Sequence, residues 1–182
     1  MPPGDGNNGP VPTCRLITLD DAPALAELVR ANREFLAPWE PLHNETYFTA
    51  PGQRASIGTA LDEHEHGRGL PCVILDPGGS VVGRVNLNNI VRGAFQSASL
   101  GYWIAEPAGG RGITTTAVRD IVRVAFTELG LHRIQADTLE HNVASQRVLE
   151  RNGFVRIGHA PRYLKIAGQW QDFILHQLLS DA

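Results

Sequence analysis

The sequence predicts a mixed α/β fold, with about four helices against a central, mostly antiparallel, twisted sheet of about seven strands. Three observations carry that prediction. Along the 182 residues the apolar periodicities run strand, two helices, three strands, helix, strand, helix, two strands. The stretch "PCVILDPGGSVVGRVNLNNIV" puts a Pro-Gly-Gly turn between two apolar runs, which marks an antiparallel hairpin. Helices separate only some of the strands, so the pattern is neither doubly wound nor a barrel.

Each element has a local reason. "CRLITL", Cys14 to Leu19, alternates as a first strand. "DDAPALAELVRANREFL" follows, with Asp20 or Asp21 placed to cap and Pro23 in the first turn, the usual opening of a helix. Leu25, Leu28, Val29 and Asn32 share one face of it. "APWEPLHNE" breaks that helix, and a second runs through "GQRASIGTALDEHEHG". "SASLGYWIA" continues the antiparallel series after the hairpin, and a helix spans about Thr114 to Leu129. "HRIQADTL" is a short strand and "NVASQRVLERN" a helix ended by Gly153. "FVRIGHAPRYL" and "QWQDFILHQLL" close the chain as strands. The Pro-, Gly- and Asn-rich start, residues 1–12, reads as a disordered lead-in to one domain over 13–182.

Composition narrows the function. A net charge of −3 argues against nucleic acid as the main partner. No apolar run is long enough to span a membrane, and the N-terminus lacks a signal-peptide pattern. Cys14 and Cys72 lie in apolar strand segments with no metal-ligand spacing, as expected of two buried thiols in a reducing, cytoplasmic setting. "DEHEHG" is read as a solvated helix end: His64 and His66 diverge by about 200° on a helix, where HExxH needs i,i+4 spacing. No metal is expected.

The stretch with the most to explain is "EPAGGRGITTTAVRDIV", Glu106 to Val122. Glycine and threonine are mediocre helix formers, yet they crowd the entrance of an amphipathic helix. A strand running through Gly109, Gly110 and Gly112 into a helix forms an anion cradle, because glycines let a ligand approach and the first amides point outward. Arg111 adds a charge, and Ile113, Thr114 and Thr115 supply amides, with hydroxyls from the threonines. A plain flexible connection is the alternative. The spacing fits neither a P-loop nor a dinucleotide fingerprint.

A second motif, "HNVASQRVLERNGF", puts Asn142 before a short helix, Ser145 one turn inside it, and Asn-Gly-Phe at its end. Together the two motifs resemble the GNAT superfamily of acetyl-CoA-dependent N-acetyltransferases, whose phosphate-loop pattern falls on Gly109 to Thr114. "NNIVRGAFQSASLGYWIAE", "HRIQADTLEHN" and "YLKIAGQWQDFILHQL" are similar to the ribosomal-protein-alanine N-acetyltransferases of the RimJ/RimL type, the RimJ branch above all. The likeness covers nearly the whole chain from about Thr13. It departs from the family pattern at Gly109, where Gln or Arg is usual, and at Thr114, where a smaller residue is.

The resemblance implies the acyl-CoA N-acyltransferase fold, with the sheet splayed between its fourth and fifth strands. It implies acetyl-CoA as co-substrate, with the pantetheine arm in the splay against Trp103, Ile104 and Ala105. Ser145 matches the proton donor to the departing thiolate, and Asn142 the position that holds the pantetheine arm, though Asn142 also suits a helix cap. The carboxylate that precedes the aromatic matching Tyr163 in RimL-like relatives is Arg162 here. Asp137, Glu106 and Glu140 are then the candidate bases, beside a water chain with no dedicated base. Trp39, Glu40 and Tyr163 are candidate walls for an incoming amine, with a packed loop as the other reading of the first two. The expected acceptor is a protein N-terminus of the ribosomal alanine type; a small-molecule amine, or a CoA-binding module without catalysis, would fit the same architecture. The chain is expected as a monomer or homodimer.

Overall fold

The computed structural model describes residues 13–181, so the expected lead-in over 1–12 lies outside the described residues. Seven strands form one sheet: β1 (Cys14–Leu16), β2 (Leu70–Leu75), β3 (Val81–Val91), β4 (Ser97–Ile104), β5 (Arg133–Leu139), β6 (Val155–Ile166) and β7 (Gln169–Leu179). Their order across the sheet is β1-β2-β3-β4-β5-β7-β6. Every neighbouring pair is antiparallel except β4 and β5. A parallel pair needs a crossover, and α4 (Ile113–Thr127) supplies it. The remaining helices are α1 (Ala22–Ala31), α2 (Arg33–Leu36), α3 (Ala50–Glu65) and α5 (Val143–Arg151).

The β4–β5 pairing is short. Ser97 to Leu100 match Arg133 to Ala136, and there the ladder stops. Gly101 to Ile104 pair only with β3, and Asp137 to Leu139 only with β7. The sheet therefore opens between its fourth and fifth strands, as the family resemblance implies.

Side chains alternate across a strand, so the register sorts the two faces of this opening. Leu100, Tyr102, Ala136 and Thr138 point to one face, and Gly101, Trp103, Gln135 and Asp137 to the other. The first face is covered by α4 and α5. Ala117, Val118, Ile121 and Ala125 recur at helical spacing on α4 and bury against Ile74, Val85, Leu100 and Ile134. On the second face Leu25 of α1 and Ile57 of α3 pack on Val73 and Leu75.

The first helix departs from its expected single span. It stops at Ala31 and restarts at Arg33, with the Asn32 backbone between them at φ −107° and ψ 16°, outside the helical region. Its Nδ2 donates to Leu28 O at 2.8 Å, while its Oδ1 accepts the Glu106 amide at 2.9 Å. Asn32 is 7% exposed, so both bonds are made out of water's reach. Asp21 is the N-cap of α1, as expected, but its side chain turns back to accept from the Thr18 amide at 2.8 Å and hold Arg15 at 2.7 Å. Of the two thiols expected to be buried, Cys72 is buried and Cys14 only half so, since β1 is an edge strand. No helix among the described residues is long and apolar enough to cross a membrane.

Candidate active site

The glycine-rich segment folds as a 3-10 turn, Glu106–Ala108, then a bend into α4. Gly110 and Gly112 have φ of 72° and 80°, the left-handed region where a Cβ is costly. Gly112 is the N-cap of α4 and brings no side chain to it. Among the described residues nothing accepts from the amides of Gly110 to Thr115; Thr116 is the first to turn back, onto Gly112 O at 3.1 Å. The positive end of α4 and a row of free donors thus face one opening, which suits an anion. Beside it lies a hollow of about 410 Å³ lined by Leu75, Asp76, Arg111, Gly112, Ile113 and Thr116.

Two groups of this loop are engaged within the protein itself. The Gly109 amide is spent on Glu106 O at 3.0 Å, closing the 3-10 turn, so it is not free for a ligand. The Thr115 side chain is buried at the α4–α5 seam, where its carbonyl accepts from Asn152 Nδ2, so Thr115 can offer only its amide. The Thr116 hydroxyl donates back to Gly112 O at 3.3 Å.

At the opening, Ala105 donates its amide to Val82 O at 2.8 Å, which removes it from the set facing the gap. Main-chain groups alternate in direction along a strand, so those of Tyr102 and Ile104 face the gap and those of Trp103 face β3. β3 is drawn unusually close here: a Cβ on Gly83 would stand 2.3 Å from Trp103 O and 2.9 Å from Ile104 Cα. A lone glycine inside an apolar strand signals such an approach, and Gly83 could have been singled out on that ground.

On the α5 face, Asn142 caps the helix by accepting the Ser145 amide on Oδ1 at 3.1 Å. The Tyr102 hydroxyl lies 2.7 Å from Ser145 Oγ and 3.2 Å from Ser145 O, so its one proton can go to either. Tyr102 was not among the expected site residues. In "LGYWIA" it reads as one more strand aromatic, and only the packing of α5 over β4 brings it to Ser145.

The opposite face holds Asp137. Gln135 Nε2 donates to both its carboxylate oxygens, at 3.2 and 3.3 Å, and the Tyr163 phenol stands close enough to pull the carboxyl down as well. Burial raises the Asp137 carboxyl above the ordinary aspartate range, and these two donors only partly offset the rise. Tyr163 reaches Asp137 through a bulge in β6. Ala160 pairs with Phe173 and Leu164 with Gln171, so β6 carries extra residues there. Arg162 sits in this bulge with φ of 50° and gives its amide to Asp172 Oδ1 at 2.8 Å. Tyr163 leans on Phe173, ring centres 5.7 Å apart, and Trp39 packs on Leu139, Ile166 and Phe173.

The other carboxylates stand apart. Glu106 is exposed at the end of β4. Glu140 is exposed and takes His159 Nε2 at 3.0 Å, with Asp172 3.7 Å from the same nitrogen. Glu40 lines a hollow of about 100 Å³ together with Arg33, Leu36, His43, Tyr47 and Phe48. Burial pushes its carboxyl up to about 7, with Arg84 pulling the other way. His43 Nε2 is 3.3 Å from Glu40 Oε2 without hydrogen-bonding alignment, and burial holds that imidazole below its usual value.

The raised Glu40 has a measurable consequence for stability. Its contribution is full below the unfolded glutamate value, about 4.3, and is lost as pH rises to about 7, a change of roughly 3–4 kcal/mol. Glu40→Gln should remove that slope, read as the shift in urea midpoint between pH 5 and pH 8. An identical slope in the variant would assign it to another group.

Known proteins share this arrangement. Residues 13–155 match the model of the acetyltransferase (GNAT) domain. The [Ribosomal protein uS5]-alanine N-acetyltransferase of Escherichia coli (strain K12) is 36% identical over 165 residues, 90% of this chain and 85% of that one. The crystal structure of ribosomal-protein-S5-alanine acetyltransferase from Vibrio fischeri superposes with a TM-score of 0.88 at 34% identity, covering 92% of each chain. Mycobacterium smegmatis RimJ in complex with CoA-disulfide gives 0.89 at 33% identity, covering 92% of this chain and 81% of that one. With the split sheet and the glycine-opened helix already in place, these matches settle the family: the chain belongs to the GNAT acetyltransferases and is an N-acetyltransferase.

Proposed function

We propose that the protein moves the acetyl group of acetyl-CoA directly to a primary amine, first of all the N-terminal alanine of a ribosomal protein or a similar protein N-terminus. The observation that carries this reading is the gap between β4 and β5, with Ser145 on one face and Asp137 on the other. Coenzyme A lies with its diphosphate against the free amides of Gly110 to Thr114 and Arg111 beside it. Its pantetheine arm passes along the free main-chain groups of Tyr102 and Ile104 like an added strand. Asn142 supports that arm through the first turn of α5, which it caps.

The acceptor amine approaches from the Asp137 face, between Tyr163 and Trp39. Asp137 takes the proton from the attacking nitrogen; Glu106 and Glu140, exposed at the ends of β4 and β5, are less suited. As the C–S bond breaks, Ser145 gives a proton to the sulfur. Neither thiol sits in a nucleophile–base arrangement, so transfer proceeds in one ternary complex without an acyl-enzyme. The two free cysteines fit a cytoplasmic setting. Support for the acceptor comes from relatives named for alanine N-acetylation, one of them 36% identical over 90% of this chain.

Release of free thiol from acetyl-CoA, followed with an alanine-starting peptide and with a panel of small amines, tests the reading. Turnover with the peptide is expected. Turnover with small amines alone would transfer the activity to a small-molecule acceptor, and tight coenzyme binding without turnover to either would leave a non-catalytic module.

A further inference from the structure

Ser145 is held at three points. Its amide goes to Asn142, and both its carbonyl and its hydroxyl meet one phenol, that of Tyr102. A phenol has a single proton, so two arrangements exist. In one the proton goes to Ser145 O, and the serine proton is used up on the phenol oxygen. In the other Tyr102 donates to Ser145 Oγ, and the serine proton is left free to point elsewhere. Only the second lets Ser145 donate to a sulfur.

We propose that Tyr102 is a positioning residue that directs the Ser145 proton toward the departing thiolate and resupplies it, an inference that rests on the reading of Ser145 as proton donor. The register supports it: Tyr102 pairs with Val85 and points to the α5 face, so its hydroxyl meets Ser145 from the sheet side, and Ser145 is only half-buried. Burial pushes the phenol up to about 12, so it stays protonated throughout the working range. During transfer the C–S bond breaks with its electron pair on sulfur. The Ser145 Oγ–H proton moves to sulfur, the Tyr102 proton follows to Oγ, and the phenolate recovers a proton from water after the thiol has left.

Three variants test this in steady-state turnover: Tyr102→Phe, Ser145→Ala and the double variant. Tyr102→Phe removes one oxygen and keeps the packed ring; it should lower kcat about tenfold with KM for acetyl-CoA and the melting temperature unchanged. Ser145→Ala should lower kcat about a hundredfold, and the double variant no further, because the phenol acts only through the serine. Full turnover in Tyr102→Phe beside a slow Ser145→Ala would overturn this inference and leave the Ser145 reading intact. A slow Tyr102→Phe beside a fully active Ser145→Ala, or full activity in both, would remove both. Losses that multiply in the double variant, or a raised KM at normal kcat, would make Tyr102 an independent or merely packing residue.

Discussion

Gly112→Val is expected to abolish measurable coenzyme A binding while leaving the fold intact. Gly112 caps α4 at φ of 80°, a conformation that a β-branched residue adopts only with strain. A Cβ built there meets no atom within 4 Å, so the residue added stands in open space before the helix mouth and disturbs no packing. Two things are lost together: the backbone angle that aims the amides, and room for the anion they serve. Each charge-assisted bond to a phosphate contributes roughly 1.5–3 kcal/mol, so losing two weakens binding on the order of a hundredfold or more. Isothermal titration with coenzyme A, beside a melting curve, checks this; unchanged affinity would move the diphosphate away from this loop.

Asp137→Asn is expected to lower kcat on the order of a hundredfold, with little change in KM for acetyl-CoA. The carboxylate is the form that accepts a proton, so turnover must fall as pH drops through its folded value. Burial raises that value, and the acid limb of kcat should therefore lie above the ordinary aspartate range. The limb belongs to the enzyme–substrate complex and is distinct from titration of the acceptor's α-amine near pH 8. In the asparagine variant it should disappear. A variant that kept both its rate and its acid limb would leave the amine proton to a chain of water.

Where sequence reading succeeded, the decisive chemistry was local. The Pro-Gly-Gly turn and its alternating flanks fix β3 at Val81–Val91, and the last strand likewise lies over Gln169–Leu179 as expected. The row of unpaired amides at the mouth of α4 was legible because main-chain donors exposed by glycine need no distant partner. It failed where a side chain answers to something far off in sequence. Asn32 interrupts its helix and accepts the distant Glu106 amide, and nothing in "LVRANREFL" announces that bond. Gly109 looked as available as its neighbours until the 3-10 turn consumed its amide. Tyr163 falls beside Asp137 only because β6 bulges against β7, and a bulge is a property of two strands. Glu40 follows an exposed-looking loop pattern, yet the connection folds so that it lines a hollow and is largely buried. Tyr102 is the same kind of miss.

The opposed side chains of the split sheet give the reaction two doors. On the proposed reading, coenzyme enters along the α4–α5 side and the acceptor along the Tyr163 side, and they touch only in the slot between. Spent thiol can leave without the modified chain backing out first, and a fresh acceptor can wait in place while the donor is exchanged. An inhibitor that copies both reactants would have to be threaded through that slot, so its linker, more than either of its ends, would decide whether it binds.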